Sequence, residues 1–184
     1  MKNDSHSYAV GDITVTCIKE KLLSDFTPQR LYPDWNKYIV EERERPMDPA
    51  CWDETGRNLI MSTHSWLVRT PKYTLLIDTG IGNQKTRRLP IFDHLNEPFL
   101  ERLAGAGVRP EDVDYVLLTH LHMDHVGWNT QLIDGRWIPT FPNARYVFPK
   151  PKTNTFLAPE GKIAPTTPFT RIVFPLSLMQ VRPK

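Results

Sequence analysis

Four side chains able to hold a metal ion fall within six residues of this chain: His120, His122, Asp124 and His125, in the segment Thr119-His120-Leu121-His122-Met123-Asp124-His125-Val126-Gly127-Trp128. Imidazole nitrogen and carboxylate oxygen together suit zinc, manganese, iron or cobalt. At the exit of an extended strand, positions i and i+2 face one side. His120 and His122 are therefore expected to point two imidazoles at one ion. Asp124 and His125 follow where the chain is expected to turn into a helix, within reach of a second ion. A bound divalent ion lowers the pKa of water from ~15.7 toward ~7, so the chemistry on offer is hydrolysis at neutral pH. Solvated loop histidines are the plain alternative, and the buried-type strand just before the cluster argues against it.

Rigid elements must hold such a cluster. Asp114–Thr119 is a continuous apolar run and reads as a buried strand. Ser65–Arg69 and Tyr73–Asp78 are two more runs, separated by Thr70-Pro71-Lys72, which predicts a hairpin. The second of them ends in Asp78-Thr79-Gly80-Ile81-Gly82, a glycine turn. Ile13, Val15 and Cys17 alternate with Thr14 and Thr16, which predicts a half-buried strand with Cys17 on its apolar face. Leu95–Ala106 has the spacing of an amphipathic helix that stops at Gly105 and Gly107. Pro110–Asp112 predicts a helical stub, Leu132–Ile138 an Asp-Gly hairpin, and Arg145–Phe148 a last strand. Residues 20–58 are charged, aromatic and broken by prolines, and predict a long excursion with short helices. Strands alternating with helices give an α/β class.

Length and composition narrow the field. The chain has 184 residues, 40% hydrophobic and 24% charged, which suits one globular domain and excludes collagen-like, coiled-coil and wholly disordered classes. No run approaches 18 apolar residues, so no spanning helix is expected, and the N-terminus lacks the apolar segment of a secretory signal. A net charge of +2 gives no strong pull toward nucleic acid or membrane. Cys17 and Cys51 read as two separate thiols of a reducing cytoplasm. The charge is uneven: residues 1–148 hold 17 Lys and Arg against 20 Asp and Glu, whereas residues 149–184 hold 6 against one and 7 of the 17 prolines. The expected division is a domain over 1–148 and a basic, proline-rich tail over 149–184, extended or disordered, in which only Arg171–Leu178 is apolar enough to dock as an edge strand. Short charge runs such as Arg87-Arg88 and Glu41–Arg45 read as solvated faces, and Gly80 and Gly82 make only a weak nucleotide-type Gly-x-Gly.

His-x-His-x-Asp-His after an apolar strand, with strand–Asp78-Thr79-Gly80 some 40 residues earlier, resembles the metallo-β-lactamase fold hydrolases. The resemblance covers about residues 10–148. The N-terminal excursion and the Trp128-Asn129 pair look most like the branch of lactonases and methyl-parathion-hydrolase-type enzymes. It implies an αββα sandwich, of which this chain would hold the N-terminal part, with two ions, zinc in the first instance, at the sheet edge. His120 and His122 would bind the first metal, Asp124 and His125 the second. Asp78 would orient the metal-binding loop from behind, its plain alternative being a turn-forming Asp. Asp124 would also take a proton during collapse of the intermediate. The substrate implied is a small molecule: a lactone, another ester or a phosphotriester.

The chain departs from the family downstream. The pattern asks for a third His, a bridging Asp and a final His, yet no histidine follows His125, and Asp134 falls in a predicted hairpin. Each metal would keep two protein ligands where zinc sites use three or four. The expectation is a truncated or frameshifted product with impaired hydrolysis. The alternatives are a non-catalytic remnant, a binding module that oligomerises through 20–58, or a homodimer whose partner completes the site. His64 is a further candidate for the pocket, and Trp128 is the tryptophan expected to face substrate.

Overall fold

The computed structural model describes residues 6–36 and 48–148. The tail over 149–184, with its docking strand, and the charge run at 41–45 lie outside the described residues. Packing divides the chain into two compact units, Met1–Glu20 with His64–Lys184, and Lys21–Thr63.

Eight strands are described: β1 Ser7–Val10, β2 Ile13–Phe26, β3 Leu59–Arg69, β4 Thr74–Ile77, β5 Tyr115–Leu117, β6 Thr130–Ile133, β7 Arg136–Pro139 and β8 Arg145–Val147. Six form one sheet in the order β1-β2-β3-β4-β5-β8, and β6 and β7 form a separate ribbon. β3 and β4 are the predicted hairpin, antiparallel with Trp66 opposite Ile77. From β4 onward the sheet is parallel: Leu76 pairs with Val116, and Val116 with Tyr146. Parallel neighbours need crossovers, and the two crossovers here carry everything of chemical interest. One runs from Asp78 to Asp114, the other from Leu118 to Ala144. The β6–β7 ribbon turns through Asp134 and Gly135, both at positive φ, as an Asp-Gly hairpin requires.

The core joins Ile18, Leu67, Leu76, Val116 and Leu118 of the sheet region to Phe99 and Leu103 of the helix and to Val126, Trp128 and Phe141. This corrects the face expected for β2. Thr16, Cys17 and Ile18 are all buried, and it is Ile18, not the Ile13–Val15–Cys17 row, that joins the main core. Cys17 is buried as expected, and both cysteines are free. The long excursion is partly strand, because β2 continues to Phe26. The short helix α1 (Pro28–Leu31) then begins with proline at its first turn, where the missing N–H is harmless.

The predicted helix over 95–106 is shorter, and α2 spans Phe99–Gly105. Asn83 explains the late start. Its side chain donates to the Glu97 carbonyl at 2.9 Å and accepts from the Glu97 N–H at 2.8 Å, holding that stretch extended. Gly107, at φ +79, supplies the left-handed exit. Pro110–Asp112 forms the expected stub, as a 3-10 turn. No described helix is long and apolar enough to cross a membrane.

Candidate metal centre

In open α/β sheets, ligands sit beyond the carboxyl ends of parallel strands. Asp78 immediately follows β4, and Thr119 and His120 lie just past β5. Adjacent strands thus deliver both sequence motifs to one edge.

Asp78 is the organiser. It adopts φ +57, a left-handed conformation that Asp tolerates better than most residues. One carboxylate oxygen accepts from the Thr119 N–H at 2.8 Å. The other accepts from the Thr119 hydroxyl at 2.7 Å and from His125 Nδ1 at 2.8 Å. Burial pushes this carboxyl up, but hydrogen bonds from His125 and Thr119 and the His125 charge outweigh it and hold it below the usual carboxylate range. An ionised carboxylate only accepts, so the single hydroxyl proton of Thr119 goes to Asp78. The Thr119 oxygen, 3.1 Å from His120 Nδ1, is left to accept. His120 is thereby set with Nδ1 protonated and Nε2 as a lone-pair donor, whereas His125 is oriented through Nδ1 with its Nε2 turned toward Asp124. One carboxylate fixes two imidazoles, the outer support that metal-binding histidines require.

Three of the predicted imidazoles lie near one another. The ring of His120 lies 4.5 Å from that of His122 and 3.9 Å from that of His125. His125 Nε2 is 3.5 Å from Asp124 Oδ2. Hydrogen bonds with Asp124 and then Asp78, aided by both charges, raise His125 to about 9 against its burial. His120 is pushed down, by burial first and then by the charges of His125 and His122. Three rings this close cannot all hold protons cheaply, which favours a shared cation. Among the described residues, no group of three or more His, Cys, Asp or Glu side chains is arranged to hold an ion. The turn after His122 also differs from the expected helix. His125 N–H bonds the His122 carbonyl at 3.0 Å, and a 3-10 turn follows over Gly127–Asn129.

A zipper of backbone bonds holds the cluster against the glycine turn. Thr79 N–H donates to the His125 carbonyl, Gly127 N–H to the Gly80 carbonyl, and Trp128 N–H to the Thr79 carbonyl, each at 2.7 Å. The chains approach so closely that a Cβ on Gly127 would overlap the Ile81 carbonyl. Thr79 also donates its hydroxyl toward buried Asn129 Oδ1 at 2.9 Å.

A family model described as "Metallo-beta-lactamase superfamily" matches residues 60–176. The chain belongs to that superfamily. Over 85 residues, 46% of this chain and 25% of the relative, it is 36% identical to a hydroxyacylglutathione hydrolase of Aeromonas hydrophila. Over 84 residues, 40% of this chain and 30% of the relative, it is 31% identical to the N-acyl homoserine lactonase AiiB of Agrobacterium fabrum. The crystal structure of a probable metal-dependent hydrolase from Staphylococcus aureus superposes with a TM-score of 0.57 at 25% identity, over 76% of this chain and 47% of that one. The chain therefore spans under half of that structure and under a third of both relatives. Superfamily members typically bind divalent metals such as zinc. The donor set here fits that use chemically, with three neighbouring imidazoles, two of them oriented through Nδ1, and a carboxylate.

Sequence reasoning missed several buried polar residues packed around the glycine turn. Glu20 is fully buried and accepts from Ile81 N–H at 2.7 Å, Gly82 N–H at 2.8 Å and Trp128 Nε1 at 2.8 Å. Trp128 is accordingly buried, stacked on Phe99 at 5.3 Å. Lys85 is also fully buried. Its Nζ donates to the Thr130 hydroxyl at 2.9 Å and the Thr130 carbonyl at 3.1 Å, and lies 3.7 Å over the Trp137 ring. Arg87, expected on a solvated face, is half-buried and donates to the Ile81 carbonyl at 3.1 Å. The one available signal was Glu20 itself, a charge two residues from Ile18 on the same strand face. His64 packs edge-on against Trp66 at 5.2 Å. A cavity of about 520 Å³ lies between Asn83, Gln84, Glu97, Trp128 and Gln131, and none of the four metal-ligand candidates lines it.

Proposed function

We propose that this chain is a metal-dependent hydrolase of carboxylic esters, with lactones as the favoured substrates and phosphotriesters as the alternative class. The observation that carries the reading is the Asp78 carboxylate, which orients His125 directly and His120 through Thr119. Such an arrangement has no use in a solvated loop. The names of two relatives, an N-acyl homoserine lactonase and a hydroxyacylglutathione hydrolase, agree with acyl transfer to water.

When bound, divalent ions supply Lewis acidity and a water acidic enough to be deprotonated near neutral pH. His120 and His122 would hold one ion, and Asp124 and His125 the other. Asp78 keeps the His125 and His120 rings from rotating. The Asp124 carboxylate is held below its usual range, by the His125 hydrogen bond first, and that outweighs burial. It is therefore ionised at neutral pH and able to hold, at an Oδ atom, the proton released during attack, then pass it to the leaving alcohol. The free thiols support a cytoplasmic setting.

A second reading has its own observation. The described residues bring no three donors around one point, which favours weak metal binding and little turnover. Metal analysis and turnover together separate the two. The hydrolase reading expects close to stoichiometric zinc and hydrolysis of an acyl lactone or aryl ester that a chelator removes and zinc restores. Zinc-loaded protein with no turnover of lactone, ester or phosphotriester sinks it and leaves the remnant.

A further inference from the structure

Glu20 lies far from the candidate metal ligands in sequence. It is nevertheless a fully buried carboxylate with three N–H donors converging on it. Burying a charge costs several kcal/mol unless hydrogen bonds offset it. Gly80 and Gly82 explain the donors. Both lie at positive φ, +57 and +79, and a turn of this kind aims successive backbone N–H groups into one concavity that attracts an anion. In other proteins such a concavity takes a bound anion; here the chain fills it with its own side chain. A Cβ on Gly80 would run into the Glu20 carboxylate, so no ligand fits there as well.

We propose that Glu20 is a positioning residue for the metal centre, clamping the 80–82 turn to Trp128 and so fixing where Asp78 and His125 present their side chains. The inference rests on reading residues 120–125 as that centre. The clamp has two ends. At one, the carboxylate binds Ile81 and Gly82, whose turn begins at Asp78. At the other, Oε1 takes the indole N–H of Trp128, three residues past His125. Between the ends run the Gly127–Gly80, Trp128–Thr79 and Thr79–His125 backbone bonds. Removing the carboxylate frees both ends, leaving the zipper to hold the register alone. The strand that carries Glu20 is fixed in turn, since Arg102 donates to the Lys19 carbonyl at 3.0 Å and to the Glu20 carbonyl. Arg87 faces the charges of both Glu20 and Asp124, so the clamp and the metal loop also share a counter-ion.

The test compares E20A, E20Q and W128F with V113A, a control at a fully buried core position. Two quantities are read: zinc affinity by competition with a chromophoric chelator, and amide hydrogen exchange at Thr79, Gly127 and Trp128. E20A is expected to weaken zinc binding about tenfold, the lower end for groups that support metal ligands, and to speed exchange at those three amides. E20Q keeps one acceptor oxygen and falls between E20A and the unsubstituted chain. V113A changes neither quantity, even at an equal loss of melting temperature. If E20A and V113A behave alike at matched stability, Glu20 is only a core residue and the proposal fails. If E20A does not fold, W128F carries the test at about threefold, because it removes only the indole donor, and no change in either readout overturns the proposal. If the unsubstituted protein binds no zinc, the hydrolase reading falls by itself. The clamp is then judged on exchange: acceleration confined to the three amides sustains it, and unchanged exchange overturns it.

Discussion

Asp78 and Asp53 are both carboxylates that gather several hydrogen bonds, one in each compact unit. Asp78 draws its partners from 41 and 47 residues away, Thr119 and His125. Asp53 takes Thr55, Arg57 and Asn58, all within five residues. Those local bonds outweigh desolvation and hold Asp53 at about 2. The consequences differ. A local knot orders one surface turn and asks nothing of the rest of the chain. A knot between distant segments exists only once the sheet has placed β4 beside β5, so it reports on the tertiary structure and can transmit strain to a site. The same contrast holds for the glycines. Gly127 is jammed against Ile81, whereas nothing lies within 4 Å of the Cβ position of Gly56.

The largest expected effect tests that last pair. Gly127→Ala would drive a methyl into the Ile81 carbonyl, and we expect little soluble folded protein or a loss of at least ~3 kcal/mol by urea unfolding. Gly56→Ala, in open space but at φ +66, should cost only about 1 kcal/mol. Equal losses would erase the distinction between the two regions.

Next is Asp78→Asn. It keeps the size but puts an amide donor where Thr119 and His125 already donate, so zinc affinity should fall about 10- to 100-fold. An unchanged chelator-competition curve would show that the rings are oriented some other way.

Lys85 gives a pH signature. Burial first, and then the nearby Arg87, lower its ammonium to about 7 from an ordinary 10.5. Between those two values the unfolded chain binds the proton and the folded chain does not, so the Lys85 contribution to stability rises as pH climbs from about 7 to about 10, against the opposite contribution of His125, which is lost as pH rises through about 9. The rise should be on the order of a few kcal/mol, and Lys85→Met should flatten it. A Lys85→Met curve that runs parallel to that of the unsubstituted protein over this range would rule out a buried, depressed Lys85.

The smallest effect belongs to Asp53→Asn. We expect faster amide exchange at Arg57 and Asn58, a melting shift of a few degrees at most, and unaltered zinc affinity. A weakened metal site in this variant would break the comparison from the other side.

Much of this was legible beforehand where one physical rule acts alone. The β3–β4 hairpin, β5, the Asp-Gly ribbon and the 110–112 stub follow from apolar runs and turn residues. The candidate metal cluster is contiguous, so its residues needed no fold to be seen together. Reading failed where distant groups override local preference. Asn83 pairs with Glu97 and delays a helix whose periodicity began at Leu95. The inner face of β2 passes through Ile18 and Glu20 because the core, not the alternation of Ile13 and Val15, selects it.

The sequence alone determined the chemistry available: three imidazoles and a carboxylate within six residues, behind a strand stiff enough to aim them, and an Asp-Thr-Gly turn of the right kind upstream. Side-chain identity and short spacing suffice for that, because ligand character is a local property. How Asp78 and Thr119 orient His125 and His120, and which buried charge holds the turn in place, was decided only in three dimensions. Those features depend on hydrogen bonds spanning 41 to 108 residues, and such bonds have no trace in local sequence until a sheet brings their two ends together.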